Sequence, residues 1–285
     1  MFQELPAGLP ASIFLVLHLR AERPSFLPEI IKKCTGLRVG HASDGEEIKT
    51  GRVYVAPQDR HVLIERGHIH LSAAPKENRT RPAINPRFRS AATAYGPRVI
   101  GVVLSGTLDD GTAGLWEIKR RGGVAIVQAL EDAEHKGMPE SAIANVDVDY
   151  LVPGDQIGPL LIRLTSENAD ISVDSAEGVM SARTQLTCPD CYGPIERFDF
   201  AGVTEYRCWV GHAYGKESML EAHAEREERA LWSAIESLEE GADLMDELGT
   251  QTRFNASEIT QSAKAKRQLA KTIRAAIEAV KLERL

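Results

Sequence analysis

Through residue 165 or so, short apolar runs alternate with longer stretches in which apolar positions recur every three or four residues. The short runs predict strands over Ile13–Leu17, Arg52–Ala56, Val62–Glu65, His68–Leu71, Val99–Leu104, Val124–Gln128 and Tyr150–Val152. The longer stretches predict helices over Ser25–Cys34, Pro86–Tyr95, Thr112–Arg121, Pro139–Asn145 and Gln156–Leu164. Val/Ile/Leu runs separated by helices indicate an α/β domain, with a parallel, doubly wound sheet covered on both faces. Glu65-Arg66-Gly67-His68 reads as a hairpin turn inserted in that plan.

Beyond this domain the pattern changes twice. Residues 166–186 are polar without a sustained period and read as a linker. Residues 187–215 hold Cys188-Pro-Asp-Cys191 and Cys208-Trp-Val-Gly-His212, separated by sixteen residues. Ile195, Phe198, Phe200 and Tyr206 between them suggest a hairpin turning at Ala201-Gly202, and Gly193 permits a tight turn after the second sulfur. Two clipped ligand pairs of this kind suit a tetrahedral, structural Zn2+ in a small zinc-ribbon-like module. A redox CxxC is the competing reading, but it does not call for a third Cys and a His at this spacing. With four protein ligands no position is left for chemistry, and the linker is expected to insulate the module from the first domain.

Residues 216–285 form a helical tail. Leu220, Ala224, Leu231, Ile235, Leu238, Ala242, Met245 and Leu248 recur at heptad-like intervals that end at Gly249. Ser257 can cap a second helix bearing Ile259, Ala263, Ala270, Ile273, Ile277 and Val280. The first of these helices is acidic, and the last 35 residues carry eight basic against three acidic side chains. The two helices either pair as an antiparallel hairpin or make a homodimer as a coiled coil.

Composition narrows the function classes. A chain of 285 residues, 43% hydrophobic and 26% charged, builds a real core. Its net charge of −7 argues against a general nucleic-acid binder. No apolar run approaches the roughly 18–20 residues of a membrane span, so no membrane insertion is expected. The apolar run at Ile13–Leu17 lacks a basic flank and is followed by His18 and Arg20, which reads as a buried strand rather than a leader. Clustered cysteines that suit a metal rather than disulfides point to the cytoplasm, and Cys34 most simply packs on a helix.

In an open parallel sheet, functional groups gather at the carboxyl ends of strands. His18 follows the first predicted strand, and Asp109 and Asp110 follow the Val99–Leu104 strand. A histidine steered by a carboxylate is the base–orienter half of a hydrolase triad. Adjacent aspartates ahead of a helix also serve as N-caps, and they can bind magnesium, although no other acidic strand end supplies the remaining ligands. His61 reads as structural or as part of a substrate loop. Asp109 is expected to be the solvent-facing neighbour, and Arg79, Arg81, Arg87 and Arg89 form a basic stretch that could meet an acidic partner.

Several motifs then resemble the catalytic domain of the CheB-type chemotaxis protein-glutamate methylesterases. They are Val16-Leu17-His18-Leu19, Asp44-Gly45-Glu46, Val53-Tyr54-Val55-Ala56-Pro57, Arg81-Pro82, Leu104-Ser105-Gly106-Thr107-Leu108-Asp109-Asp110-Gly111, Val127-Gln128 and Gly137-Met138-Pro139. The resemblance implies a Rossmann-like domain over 1–165 that hydrolyses methyl-glutamyl esters on chemoreceptors and deamidates glutamine by the same acyl chemistry, with no cofactor for catalysis. It makes His18 the base and Asp110 its orienting acid, with Thr107 and Asp109 on the substrate loop. It also implies a phosphorelay setting, with a methylated receptor as substrate and a methyltransferase or histidine kinase of the same pathway as further partners. Thr107 stands where methionine is usual, and Ala83 and Asn85 stand where Ser and Asp are frequent. The family's nucleophile lies in a Gly-Ala-Ser-x-Gly-Gly turn after the first strand, which has no match here. Ser12, Ser25 and Ser105 do not fit it. The expectation is a domain lacking its first strand and a chain of low activity as written. The alternative is a catalytically dead scaffold that binds partners through the zinc module and helices.

Overall fold

The computed structural model describes residues 2–18, 25–167, 180–200, 202–248 and 255–283. The first part of the chain runs β1 (Ser12–Leu15), α1 (Leu27–Lys32), β2 (Arg38–His41), β3 (Arg52–Val55), β4 (His61–Ile64) and β5 (Ile69–Ser72). It continues through α2 (Ile84–Tyr95), β6 (Ile100–Val103), α3 (Thr112–Arg120), β7 (Val124–Gln128), α4 (Gly137–Asn145), β8 (Tyr150–Val152) and α5 (Gly154–Ser166). Each predicted strand and helix forms, with ends shifted by up to two residues. The pattern missed β2. Its Arg-Val-Gly-His sequence has one large apolar side chain, Val39, and as an edge strand it buries only that one.

Parallel pairing gives two three-stranded sheets, ordered β1-β3-β2 and β6-β7-β8, and β4-β5 is the inserted hairpin. Among the described residues β1 pairs with β3 on one side only. The two sheets share one apolar layer. Val39, Val53 and Val55 cluster with Ile126 and with Ile157 and Leu161 of α5. On the other face, Ile84 and Phe88 of α2 and Leu115 and Ile118 of α3 pack with Val103 and Val127. Helices thus cover both faces, as a parallel sheet of apolar strands requires.

The stretch read as a linker is partly a strand. Residues 168–179 lie outside the described residues, but β9 (Met180–Thr187) pairs antiparallel with β10 (Pro194–Phe200). Its Met-Ser-Ala-Arg-Thr-Gln sequence lacks apolar alternation, and the pairing with β10 is what makes it a strand. β10, β11 (Val203–Cys208) and β12 (Ala213–Tyr214) complete a four-stranded antiparallel ribbon. Gly202 takes the left-handed conformation at the β10–β11 turn, while Ala201 is outside the described residues.

The chain divides into two compact units, Met1–Met219 and Leu220–Leu285. The ribbon belongs to the first and is not insulated from the α/β layer. Trp116 of α3 meets Phe200 with ring centroids 5.3 Å apart. Arg89 of α2 donates both to Glu77, at 2.5 and 2.6 Å, and to the buried Glu205 of β11, at 3.1 Å. In the second unit, α6 (Lys216–Leu248) and α7 (Ala256–Glu283) pair antiparallel around Ile235, Ala270 and Ile277. Arg267 reaches Asp243 and Asp246, and Arg274 reaches Glu239. These exposed pairs add little beside the apolar seam. Asn255, not Ser257, caps α7: its Oδ1 accepts the Ser257 N–H at 3.0 Å. Gly249 lies outside the described residues.

α2 and α3 cross closely because Gly114 has no side chain. A Cβ there would lie 2.5 Å from Phe88 Cβ and 3.1 Å from the Asn85 backbone. Gly114→Ala is therefore expected to lower stability by about 1–3 kcal/mol, read from urea midpoints at unchanged slope. An unchanged midpoint would contradict this packing.

Candidate active site

β6 delivers the chain into the turn Leu104–Gly111, where Leu108 has φ 62° and Gly111 has φ 95°. This left-handed geometry turns the Asp110 side chain inward, where it is almost fully buried. Five donors converge on that carboxylate. Oδ2 accepts from His18 Nε2 at 2.8 Å and from the Ile84 N–H at 2.7 Å. Oδ1 accepts from Asn78 Nδ2 at 2.9 Å and from the N–H groups of Asn85 and Gly111 at 3.2 and 3.0 Å. Burial alone would push the Asp110 carboxyl up. The bond to His18, its charge, and the Ile84 and Asn78 bonds outweigh that and hold it below the usual range. An ionised carboxylate only accepts, so Nε2 of His18 is the nitrogen that donates to Asp110, and Nδ1 is the one left bare in the neutral imidazole.

His18 enters from the end of β1 and stays partly open, with 29% of its side chain exposed against 3% for Asp110. The two residues sit at the carboxyl ends of β1 and β6, 92 positions apart in sequence. Among the described residues no serine hydroxyl bonds to His18. Ser12 donates to the Lys49 carbonyl and Ser105 accepts from the His135 N–H.

Asp109 is not the exposed neighbour that the sequence suggests, and it does not stand on an open substrate loop. It is buried, accepting from the Ser218 hydroxyl and, at 3.1 Å, from the Glu217 N–H. It caps the start of α6, and the polar ribbon exit fills the space that would otherwise be solvent. Burial pushes its carboxyl up, the nearby Glu217 carboxyl adds to that, and the Ser218 hydroxyl opposes it, giving about 7. Thr107 is exposed on the same turn.

Other residues change role as well. Asn85 is a buried strut: its Oδ1 accepts from Gly111 N–H at 3.1 Å and Gly114 N–H at 2.7 Å. Asn78, which the sequence reading passed over, is buried beside Asp110. The only signal for Asn78 was a polar residue amid a turn, which is common on surfaces, and the signal for Asn85 was its standing where Asp is frequent in the family it resembles. His61 is structural. It donates from Nε2 to the Pro75 carbonyl at 2.9 Å, accepts the Ala83 N–H at Nδ1, and is held below its usual pKa mainly by burial. The basic stretch does not make an open stripe. Arg81 is bound to Asp59, Arg87 is buried against the Phe14 carbonyl, and Arg89 joins Glu77 and Glu205.

The Cys188, Cys191, Cys208 and His212 ligand atoms all lie within 4.8 Å of one another. Cys191 and Cys208 sulfurs are 3.8 Å apart, and His212 Nδ1 is 3.4 and 3.7 Å from the Cys208 and Cys188 sulfurs. A tetrahedral zinc with bonds of about 2.3 Å to sulfur and about 2.0 Å to nitrogen sets edges of about 3.8 and about 3.5 Å. The donor set fits that ion. Asp190 accepts from Tyr214 at 2.7 Å and lies 3.9 Å from His212 Nε2, beyond hydrogen-bond reach. The left-handed residue of the first knuckle is Tyr192, one position before Gly193.

A buried carboxylate holding an imidazole at the strand ends of a doubly wound sheet is the base–orienter arrangement of acyl hydrolases. The CheB methylesterase family profile matches residues 1–161, more than half of the chain, and the chain belongs to that family of carboxylic-ester hydrolases. A Leptospira interrogans protein with the provisional name protein-glutamate methylesterase/protein-glutamine glutaminase is 38% identical over 167 residues, covering 58% of this chain and 86% of that one. Protein-glutamate methylesterase/protein-glutamine glutaminase 2 of Methanosarcina acetivorans is 36% identical over 56% of this chain, and the match spans 47% of the archaeal protein's length. The crystal structure of the Thermotoga maritima CheB methylesterase catalytic domain superposes with a TM-score of 0.55 at 34% identity, covering 57% of this chain and 89% of that one. No helix among the described residues is long and apolar enough to cross a membrane.

A carboxyl raised by folding gives stability that is complete below its unfolded value, about 3.8, and is lost as pH rises through about 7. Between pH 5 and 8, purified protein is therefore expected to lose more stability than Asp109→Asn, measured by thermal melts at equal metal loading. Parallel curves for the two proteins would contradict it.

Proposed function

We propose that this chain acts in the hydrolysis of methyl-glutamyl esters on a chemoreceptor, with glutamine deamidation as the same chemistry on an amide. The observation that supports this reading is the Asp110 carboxylate held on His18 at 2.8 Å. His18 Nδ1 removes the proton of an attacking hydroxyl while Asp110 stabilises the resulting imidazolium. The hydroxyl oxygen adds to the ester carbonyl, the tetrahedral adduct collapses, and methanol leaves with the proton that His18 returns. If the attacker is water, the glutamyl carboxylate is free at this point; if it is a side-chain hydroxyl, the acyl group stays on it until water, deprotonated by His18, adds and expels that hydroxyl. With an amide substrate, ammonia leaves in its place. A cytoplasmic setting with a receptor, its methyltransferase and a histidine kinase follows from the family's chemistry.

Since no described serine hydroxyl bonds to His18, turnover of the 285-residue chain alone is expected to be low. His18→Gln and Asp110→Asn should each cut the remaining methanol release from methylated receptor by about 10²-fold. Equal release by wild type and both variants would remove the dyad from the chemistry.

The ribbon is proposed to hold one structural zinc on Cys188, Cys191, Cys208 and His212, supported by the edge lengths of the donor set. Metal analysis should return one zinc per chain, and Cys208→Ser should lose it. Reduced, intact thiols with no zinc would contradict this.

A further inference from the structure

The ribbon's last strand does not end in solvent. Its exit, the strap Ala213–Ser218, passes directly behind the acid turn, and Asn78 joins the two. The Asn78 N–H donates to the Ala213 carbonyl at 2.7 Å, and its Oδ1 accepts the Gly215 N–H at 2.8 Å. Its Nδ2 donates to Asp110 Oδ1 at 2.9 Å. Each hydrogen-bonding group on this side chain is therefore committed, one end to the strap and the other to the acid. Apart from His18, Asn78 is the one side chain among the described residues that bonds to Asp110. The remaining donors are backbone N–H groups.

Asn78 has φ 47° and Arg79 has φ 67°, the central pair of a tight turn closed by the Glu77 N–H on the Thr80 carbonyl at 3.2 Å and the Thr80 N–H on the Glu77 carbonyl at 3.0 Å. This turn presents Asn78 to the strap, which holds it through the Ala213 carbonyl and the Gly215 N–H. The strap has its own anchor. Ser218 and Glu217 hold the Asp109 carboxylate, and a Cβ at Gly215 would lie 1.9 Å from Asp109 Oδ2. The strap begins one residue after His212, the fourth residue of the Cys188/Cys191/Cys208/His212 cluster.

We propose that Asn78 is a positioning residue that transmits the folded state of the ribbon to the dyad, so that an intact ligand cluster fixes the Asp110 carboxylate and through it the His18 tautomer. When the cluster is lost, the strap retreats from Asn78, its amide loses the Gly215 partner, and the amide leaves Asp110 Oδ1. The carboxylate then turns more freely, and the His18 Nε2–H bond loses its fixed direction. The proposal rests on reading His18 and Asp110 as base and orienter. Its test uses no substrate, so it fails or stands separately from the esterase assignment.

The test is NMR of the full chain, following the imidazole ¹⁵N signals of His18, assigned from a His18→Gln spectrum, and the Nε2–H proton held by Asp110. Asn78→Ala removes the link. Gly215→Ala sets a methyl against the Asp109 carboxylate and forces the strap and the acid turn apart, with Asn78 and Asp110 themselves not substituted. Both are expected to shift the His18 ¹⁵N signals and to lose the Nε2–H signal. Cys208→Ser should shift His18 in the wild-type background and add no further shift in Asn78→Ala. Unchanged His18 signals in Asn78→Ala and Gly215→Ala would overturn the proposal. An equal effect of Cys208→Ser in both backgrounds would overturn it as well, because the ribbon would then reach the dyad without Asn78.

Discussion

The geometry of the candidate site depends on one buried carboxylate kept ionised. A lone carboxylate in an apolar interior would take up a proton rather than stay charged. Asp110 avoids this because five hydrogen-bond donors from four separate stretches of chain point at its two oxygens. Three of them are backbone N–H groups, which cannot rotate away as side chains do. The convergence pins α2, the acid turn, the Asn78 loop and the His18 strand end to one another. It also settles which imidazole nitrogen carries a proton.

The ribbon takes part in the same arrangement. Its buried Glu205 takes Arg207 of its own strand on one oxygen and Arg89 of α2 on the other, and Arg89 also holds Glu77. Without Arg89 the largely buried Glu77 would be left uncompensated and the link from α2 to Glu205 would be lost, a disruption costing about 3–5 kcal/mol. An exposed tether would have left the module free. Its docking also explains why Asp109, beside the acid, is enclosed and not open to substrate.

Much of this was legible in the sequence, for physical reasons. Apolar runs such as Val124–Gln128 become central strands because both faces of a parallel sheet are buried. The cysteine spacing brings four ligand atoms together because each pair closes within one tight turn. His18 and the two aspartates were readable as candidates because strand ends in this topology meet at one edge, and the family resemblance singled out Asp110 as the partner of His18. β2 and β9 were not readable, since edge and ribbon strands are set by partners far away in sequence. Asp109, Asn78 and Asn85 were misread or missed for the same reason. A buried polar side chain and an exposed one look alike until the chain that covers it is in place, and here the cover comes from residues more than a hundred positions away.

The measurement that tests the account most directly is the tautomer of His18 in the wild-type protein at neutral pH, read from the ¹⁵N chemical shifts of its two ring nitrogens. Asp110 as the ionised acceptor predicts a protonated Nε2 and a bare Nδ1. A protonated Nδ1 with a bare Nε2 would mean that Asp110 does not orient this imidazole, and the base–orienter pair would not exist in the form described.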